Sequence, residues 1–236
     1  MYKNRLYLLR ASGNMSVHHD SEPKLYRYSR TVCGIFTHVL CALFTGFITA
    51  LARPASSLFS WHPFLMTLSF SFLMTEAILL FNPHSSPVSK LKHKTKGRLH
   101  WILQCLCVFC AILGLFAIFY NKSLNDKPHF TSWHGLIGVV TVAVVVFQAV
   151  AGLPLLYPKL AKNWTLAKLK RYHATSGLLT YLLGSFSLFL GLCSSWFSSV
   201  VSGYVWYLAV LCPVVCALVV MSQVTNAYMA RKRMKY

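Results

Sequence analysis

The chain has 236 residues, 56% of them hydrophobic, and carries 23 Lys or Arg against 4 Asp or Glu, a formal charge of +19. Acid this scarce beside so much Leu, Val and Phe excludes an ordinary soluble domain. The basic residues lie in short stretches between apolar runs, so a lipid bilayer rather than nucleic acid is the partner they indicate.

A hydrocarbon core of about 30 Å needs about 20 helical residues. Six apolar runs meet that length. The expectation is therefore an all-α membrane protein with six transmembrane helices over residues 31–228. A polar tail, 1–30, precedes them and a basic tail, 229–236, follows. No apolar run in 1–30 reads as a secretory signal peptide.

The first run is predicted over Thr31–Ala52 and contains His38, read as a packed or interfacial histidine. Pro54, Ser56 and Ser57 break the link that follows. The second run, His62–Phe81, opens WHPFLM, with Pro63 suited to a first helical turn. Glu76 lies fourteen residues after His62, about 21 Å along a helix. An acid inside a span is a functional candidate, but one near a helix end can equally snorkel to the interface.

The third run, Leu99–Tyr120, has His100 one residue inside and a C-x-x-C at Cys107 and Cys110. Without a second cysteine pair these read as small buried side chains rather than a redox or zinc motif. The fourth, Trp133–Leu153, has His134 at its head, and the fifth, His173–Cys193, begins on its histidine. Gly177, Gly184 and Gly191 repeat at seven-residue intervals along the fifth run, which suits close helix packing or room for a flat ligand. The sixth, Val205–Tyr228, contains Pro213, where a bend is expected. Trp61, Trp101, Trp133, Trp196 and Trp206 fall at run ends, as an interfacial belt requires.

With six crossings, twenty of the 23 Lys and Arg fall on one side, and only Arg53, Lys122 and Lys127 on the other. The positive-inside rule then predicts both termini in the cytosol. This orientation sorts the four histidines. His62 and His134 start at the outer face, 72 residues apart; His100 and His173 start at the inner face, 73 apart. Two stacked pairs at matched depths are expected. Zinc wants three or four protein ligands, and each pair offers two with no acid or cysteine predicted at its depth. Haem b, whose iron needs only two axial ligands, suits a pair of imidazoles and a helical-bundle core. Gly138 and Gly177, each one turn past a proposed ligand, are expected to let a porphyrin approach.

The residues around the histidines, SLFSWHPFLM, GRLHW, SWHGLIG and KLKRYHATSGL, resemble the cytochrome b561 family over about residues 30–230. LLYPKL after the fourth run and WYLAVLCPV in the sixth are similar to one subgroup of it. The resemblance implies a central bundle of helices two to five holding two haem b groups, with His62 and His134 on the outer iron and His100 and His173 on the inner. It implies electron transfer from cytosolic ascorbate to an acceptor on the opposite face, monodehydroascorbate radical or ferric chelate. It also implies an endoplasmic reticulum or vesicle membrane and is compatible with a homodimer. Better-known members carry an arginine at the inner end of helix two, where this chain has Asn82.

Clustered positive charge favours an anion, so Lys94, Lys96 and Arg98 before His100, and Lys168, Lys170 and Arg171 before His173, are candidate ascorbate contacts. Plain topology signals explain the same residues. On the outer face, Arg53 and His129 lie a few residues from His62 and His134 and are candidates to meet a propionate or an anionic acceptor. The competing functions are a histidine-based proton or metal transporter and a non-enzymatic membrane assembly protein. The near absence of acids in the helices argues against the first, and the sorting of the histidines against the second.

Overall fold

The computed structural model describes residues 24–233. Six long helices account for most of them: α1 Lys24–Ala52, α2 Trp61–Leu79, α3 His93–Leu124, α4 Trp133–Ala151, α5 Leu166–Leu192 and α6 Gly203–Arg233. Each is long and apolar enough to cross a membrane. A single turn, Leu153–Leu156, continues α4, and a short helix, Ser195–Val200, bridges α5 and α6.

Local chemistry sets several starts. The hydroxyls of Ser132 and Thr165 accept hydrogen bonds from the main-chain N–H of Gly135 and Lys168, capping α4 and α5. Pro213 lies inside α6, which continues through it. Within α2 the residues Leu68–Leu73 form a π-helical stretch between two α-helical pieces.

The helices overrun the predicted spans. α1 begins at Lys24, inside the predicted tail 1–30; α3 begins at His93 rather than Leu99; and α5 begins at Leu166 rather than His173. Hydrophobicity marks only the part of a helix that crosses hydrocarbon. Lys and Arg are good helix formers, so the basic stretches continue the helices into the headgroup zone. Residues 1–23 of the predicted tail, and 234–236, lie outside the described residues.

Two ends of the bundle can be distinguished. At the near end, Tyr26 on α1 donates to Asn226 on α6 (3.2 Å), and Asn82 after α2 donates to Gln223 on α6 (3.1 Å). At the far end, the Trp206 indole donates to the Leu192 carbonyl (3.0 Å), and Phe59 meets Trp196 edge to face. The central core is apolar: Phe70 and Met74 of α2, Cys107 and Ala111 of α3, Val142 and Val145 of α4, Tyr181 of α5 and Val220 of α6. Its one phenol is satisfied by Thr75, at 2.9 Å. Large apolar side chains such as Phe109, Phe116, Phe147 and Leu179 point outward, as in a chain whose solvent is lipid.

Candidate functional site

The four sequence-predicted histidines meet in two pairs. His62 on α2 and His134 on α4 have ring centroids 5.9 Å apart at the far end. His100 on α3 and His173 on α5 have centroids 6.2 Å apart at the near end. The rings within each pair are steeply inclined, 77° and 82°. With a metal–nitrogen bond of about 2.0–2.1 Å and a ring centre about 1.1 Å behind its nitrogen, two imidazoles flanking one metal have centroids roughly 6.3 Å apart. Both pairs fit a single iron between them. Among the described residues no group of three or more His, Cys, Asp or Glu gathers to hold a bare metal ion. That favours a ligand bringing its own equatorial donors.

Each ring is held at Nδ1, and the holding atoms obey one rule. His62 donates to the Gly114 carbonyl (3.0 Å), His134 to that of Ser187 (3.1 Å) and His100 to that of Ala77 (2.8 Å). Gly114 is fourteen residues after His100 on the same helix, and Ser187 is fourteen after His173. A histidine at one end is thus held by the helix that carries a histidine of the other pair, about 21 Å further along its axis. Ala77 lies fifteen after His62, one residue more. The π-helical stretch between them absorbs that residue and restores the depth. Donation at Nδ1 fixes the tautomer and leaves Nε2 with its lone pair for a metal.

His173 differs. The position fourteen after His134 is Gln148, and its side chain reaches the ring: Nε2 lies 3.1 Å from His173 Nδ1 and donates to the His173 carbonyl at 2.8 Å. Ser176 donates to Gln148 Oε1 at 2.9 Å. Sequence reasoning missed Gln148, whose role shows only once the carbonyls that hold the other three rings are located.

Two glycines make room for the rings. A Cβ on Gly191 would stand 3.2 Å from His134 Cε1, and one on Gly152 would stand 3.1 Å from His173 Cε1. These are symmetric: Gly191 is eighteen residues after His173 and Gly152 eighteen after His134, and each faces the histidine of the other helix. A Cβ on Gly138 would meet Ser187 Oγ at 3.6 Å, and on Gly177 Gln148 Nε2 at 3.0 Å. In the Gly177, Gly184 and Gly191 series, Gly184 admits Phe70, at 3.0 Å from its would-be Cβ, so one repeat serves both packing and a histidine.

Glu76 and His38 require a correction. Neither snorkels nor stands alone: His38 Nδ1 is 2.8 Å from both carboxylate oxygens of Glu76. Glu76 is also the neighbour of Ala77, so an acid does lie at the level of the near pair, contrary to expectation. Of the C-x-x-C cysteines, Cys107 is buried as expected, while Cys110 is only half-buried. Cys107 is fully buried, its Sγ 3.1 Å from Ser69 Oγ, and all eight thiols are free.

The basic candidates sit on helix, not loop. Lys94, Lys96 and Arg98 occupy the first turns of α3, and Lys168, Lys170 and Arg171 those of α5. Lys94, Arg98, Lys168 and Arg171 are exposed, and Lys96 and Lys170 are half-buried. Arg171 packs its guanidinium 5.6 Å from the centre of the Tyr172 ring. Asn82 accepts from the N–H of His84 and Ser85. At the far end Arg53 is exposed with left-handed backbone (φ 50°). His129 stacks on Phe119 with centroids 4.1 Å apart and places Nε2 3.2 Å from Ser123 Oγ. No contact joins either residue to His62 or His134 among those described.

The sequence profile of eukaryotic cytochrome b561 matches residues 61–198, which hold all four paired histidines. The chain is similar to the bovine (Bos taurus) transmembrane reductase CYB561D2, 53% identical over 94% of this chain and all of that protein. It is also similar to the plasma membrane ascorbate-dependent reductase CYBRD1 of Xenopus laevis, 31% identical over 52% of this chain and 43% of the relative. Mouse (Mus musculus) lysosomal membrane ascorbate-dependent ferrireductase CYB561A3 is 28% identical over 65% of each chain. A profile spanning more than half the chain, together with an end-to-end relative, establishes that this protein belongs to the eukaryotic cytochrome b561 family, a family of haem b-binding membrane proteins.

Proposed function

We propose that this protein is an ascorbate-dependent transmembrane oxidoreductase, passing electrons from cytosolic ascorbate to an acceptor on the opposite face. The observation that carries this reading is the pair of imidazole pairs, 5.9 and 6.2 Å between centroids, at the two ends of one four-helix bundle. His100 and His173 would hold one haem b at the near end, and His62 and His134 a second at the far end. Two such groups would supply one-electron carriers at both faces of the bilayer, and a pair of imidazoles holding each would suit electron transfer rather than oxygen chemistry.

The residues have distinct tasks. Nδ1 bonds to Gly114, Ser187 and Ala77 hold three rings in the ligating tautomer. Gly191 and Gly152 leave space at the imidazole edges. The near-end bases on α3 and α5 would attract an anionic donor, and the excess of bases there supports a cytosolic position for this end. The far-end links carry Arg53, Lys122 and Lys127 against Asp126, a mildly basic surface suited to monodehydroascorbate radical or a ferric chelate.

The test is the purified protein in detergent. A low-spin haem spectrum at two haems per chain, reduced by ascorbate, is the expected result. A colourless folded protein, or one whose haem ascorbate leaves oxidised, overturns the reading. Vesicles loaded with ferric chelate then test direction: ascorbate added on the near-end side reduces the chelate inside.

A further inference from the structure

Glu76 is the one acid inside the six spans, and its surroundings are specific. The His38 ring on α1 lies 2.8 Å from both of its oxygens, and the Cys41 thiol donates to Oε1 at 3.3 Å. His38 Nε2 is buried with no hydrogen-bond partner. The next residue, Ala77, offers its carbonyl to His100 Nδ1 at 2.8 Å. The acid and the anchor of a near-end ligand are thus consecutive residues. Glu76 is three residues from the end of α2, and 18% of each side chain in the pair remains exposed.

We propose that the His38–Glu76 pair is a redox-linked proton site: it binds one proton when an electron arrives at the near-end haem and releases it when the electron leaves. This rests on the haem reading above. His38 donates Nδ1–H to the carboxylate, so the open nitrogen, Nε2, carries a lone pair. A proton there turns a pair of net charge −1 into a neutral imidazolium–carboxylate pair without breaking the bond to Glu76. The balance is one electron from the donor and one proton from near-end water, with a single N–H bond formed; reoxidation reverses both. In a low-dielectric core, added negative charge acts strongly on a nearby titratable group. Other titratable side chains near the pair are Cys41 on α1 and Cys216 on α6, and both thiols act in turn on Tyr181 of α5. Thiols and phenols are ordinarily neutral near pH 7, so they do not supply the compensating charge. A clamp that merely tied α1 to α2 would need no open nitrogen beside the carboxylate.

The experiment is a redox titration of the full-length holoprotein at several pH values, with the near-end step assigned as the one that His173→Ala removes. In the wild type the near-end potential falls as pH rises, toward a limit of about 59 mV per unit for one proton per electron. In Glu76→Gln and His38→Asn that slope falls to about half or less, while the far-end step keeps its own. Parallel near-end plots for wild type and both haem-retaining variants overturn the proposal. Electrochemical reduction of the wild type in weakly buffered indicator dye gives an independent reading, and absence of proton uptake overturns it even if a variant loses haem. A colourless wild type sinks the haem reading and this one together; a coloured protein with parallel plots sinks this one alone.

Discussion

Gln148 stands where the other three paired histidines find a main-chain carbonyl: its amide nitrogen lies 3.1 Å from His173 Nδ1 and 2.8 Å from the His173 carbonyl oxygen. An N–H directed at Nδ1 leaves the ring proton on Nε2, the nitrogen an iron needs. For His173 to ligate through Nε2, the ring proton must stand on Nδ1, beside the Gln148 amide. Haem loading at the near end is therefore coupled to the orientation of one side chain. Partners at this remove from a metal alter affinity by about 10–100-fold. Gln148→Leu is expected to weaken near-end haem retention by about that factor and to leave the far-end haem in place. Haem titration of the apoprotein, followed by the two low-spin signals, checks it; equal loss at both sites would show a general packing defect instead.

The pairing itself makes a sharper prediction. Because His100 meets His173 and His62 meets His134, replacing either member of a pair with Ala removes one haem and spares the other. His100→Ala and His173→Ala should give the same residual spectrum, and His62→Ala and His134→Ala the complementary one. Loss of the same haem from His62→Ala and His100→Ala would contradict the geometry.

Much of this arrangement was legible in the sequence, for identifiable reasons. Hydrophobic length reports crossings directly, and a histidine one residue into a run reports depth, so the two pairs followed from counting. The helix starts were misread because Lys96 or Lys170 looks like loop on a hydropathy scale, yet such residues extend a helix readily. His38 and Glu76 were each assessed alone, although the same depth argument joins them. His38 is fourteen residues before the far end of α1 at Ala52, and Glu76 is fourteen after His62. Gln148 was invisible for a different reason. Its role appears only once the carbonyl holding each of the other rings is known, and no composition or spacing marks a carbonyl.

At the near end, Lys94, Lys96 and Arg98 precede His100 on α3, and Lys168, Lys170 and Arg171 precede His173 on α5. Ascorbate is an anion at neutral pH, and clustered positive charge raises its local concentration. Lys96→Glu together with Arg171→Glu is expected to raise the apparent KM for ascorbate by roughly tenfold at low ionic strength, with a smaller rise in higher salt as charges are screened. The rate at saturating ascorbate should change much less. Steady-state reduction at two ionic strengths measures both, and an unchanged KM would leave these residues as topology signals.

The far end separates two candidates that the sequence treated alike. His129 is committed to its own loop by the Phe119 stack and by Ser123, while Arg53 is exposed on left-handed backbone. That conformation disfavours any residue with a side chain by about 1–2 kcal/mol, so the loop holds Arg53 there against a local preference. The other described non-glycine residues with positive φ, Ala55, Asp126 and Phe130, share these far-end links. An exposed guanidinium suits an anionic acceptor, and a charge-assisted contact of about 1.5–3 kcal/mol corresponds to roughly tenfold or more in rate. Arg53→Ala should slow reoxidation of the pre-reduced protein by monodehydroascorbate or ferric chelate by about that factor, while ascorbate still reduces both haems. His129→Phe, which preserves the ring stack, should reoxidise at the wild-type rate. Stopped-flow reoxidation with each acceptor decides the matter: an Arg53→Ala protein as fast as wild type with both would remove Arg53 from the acceptor surface.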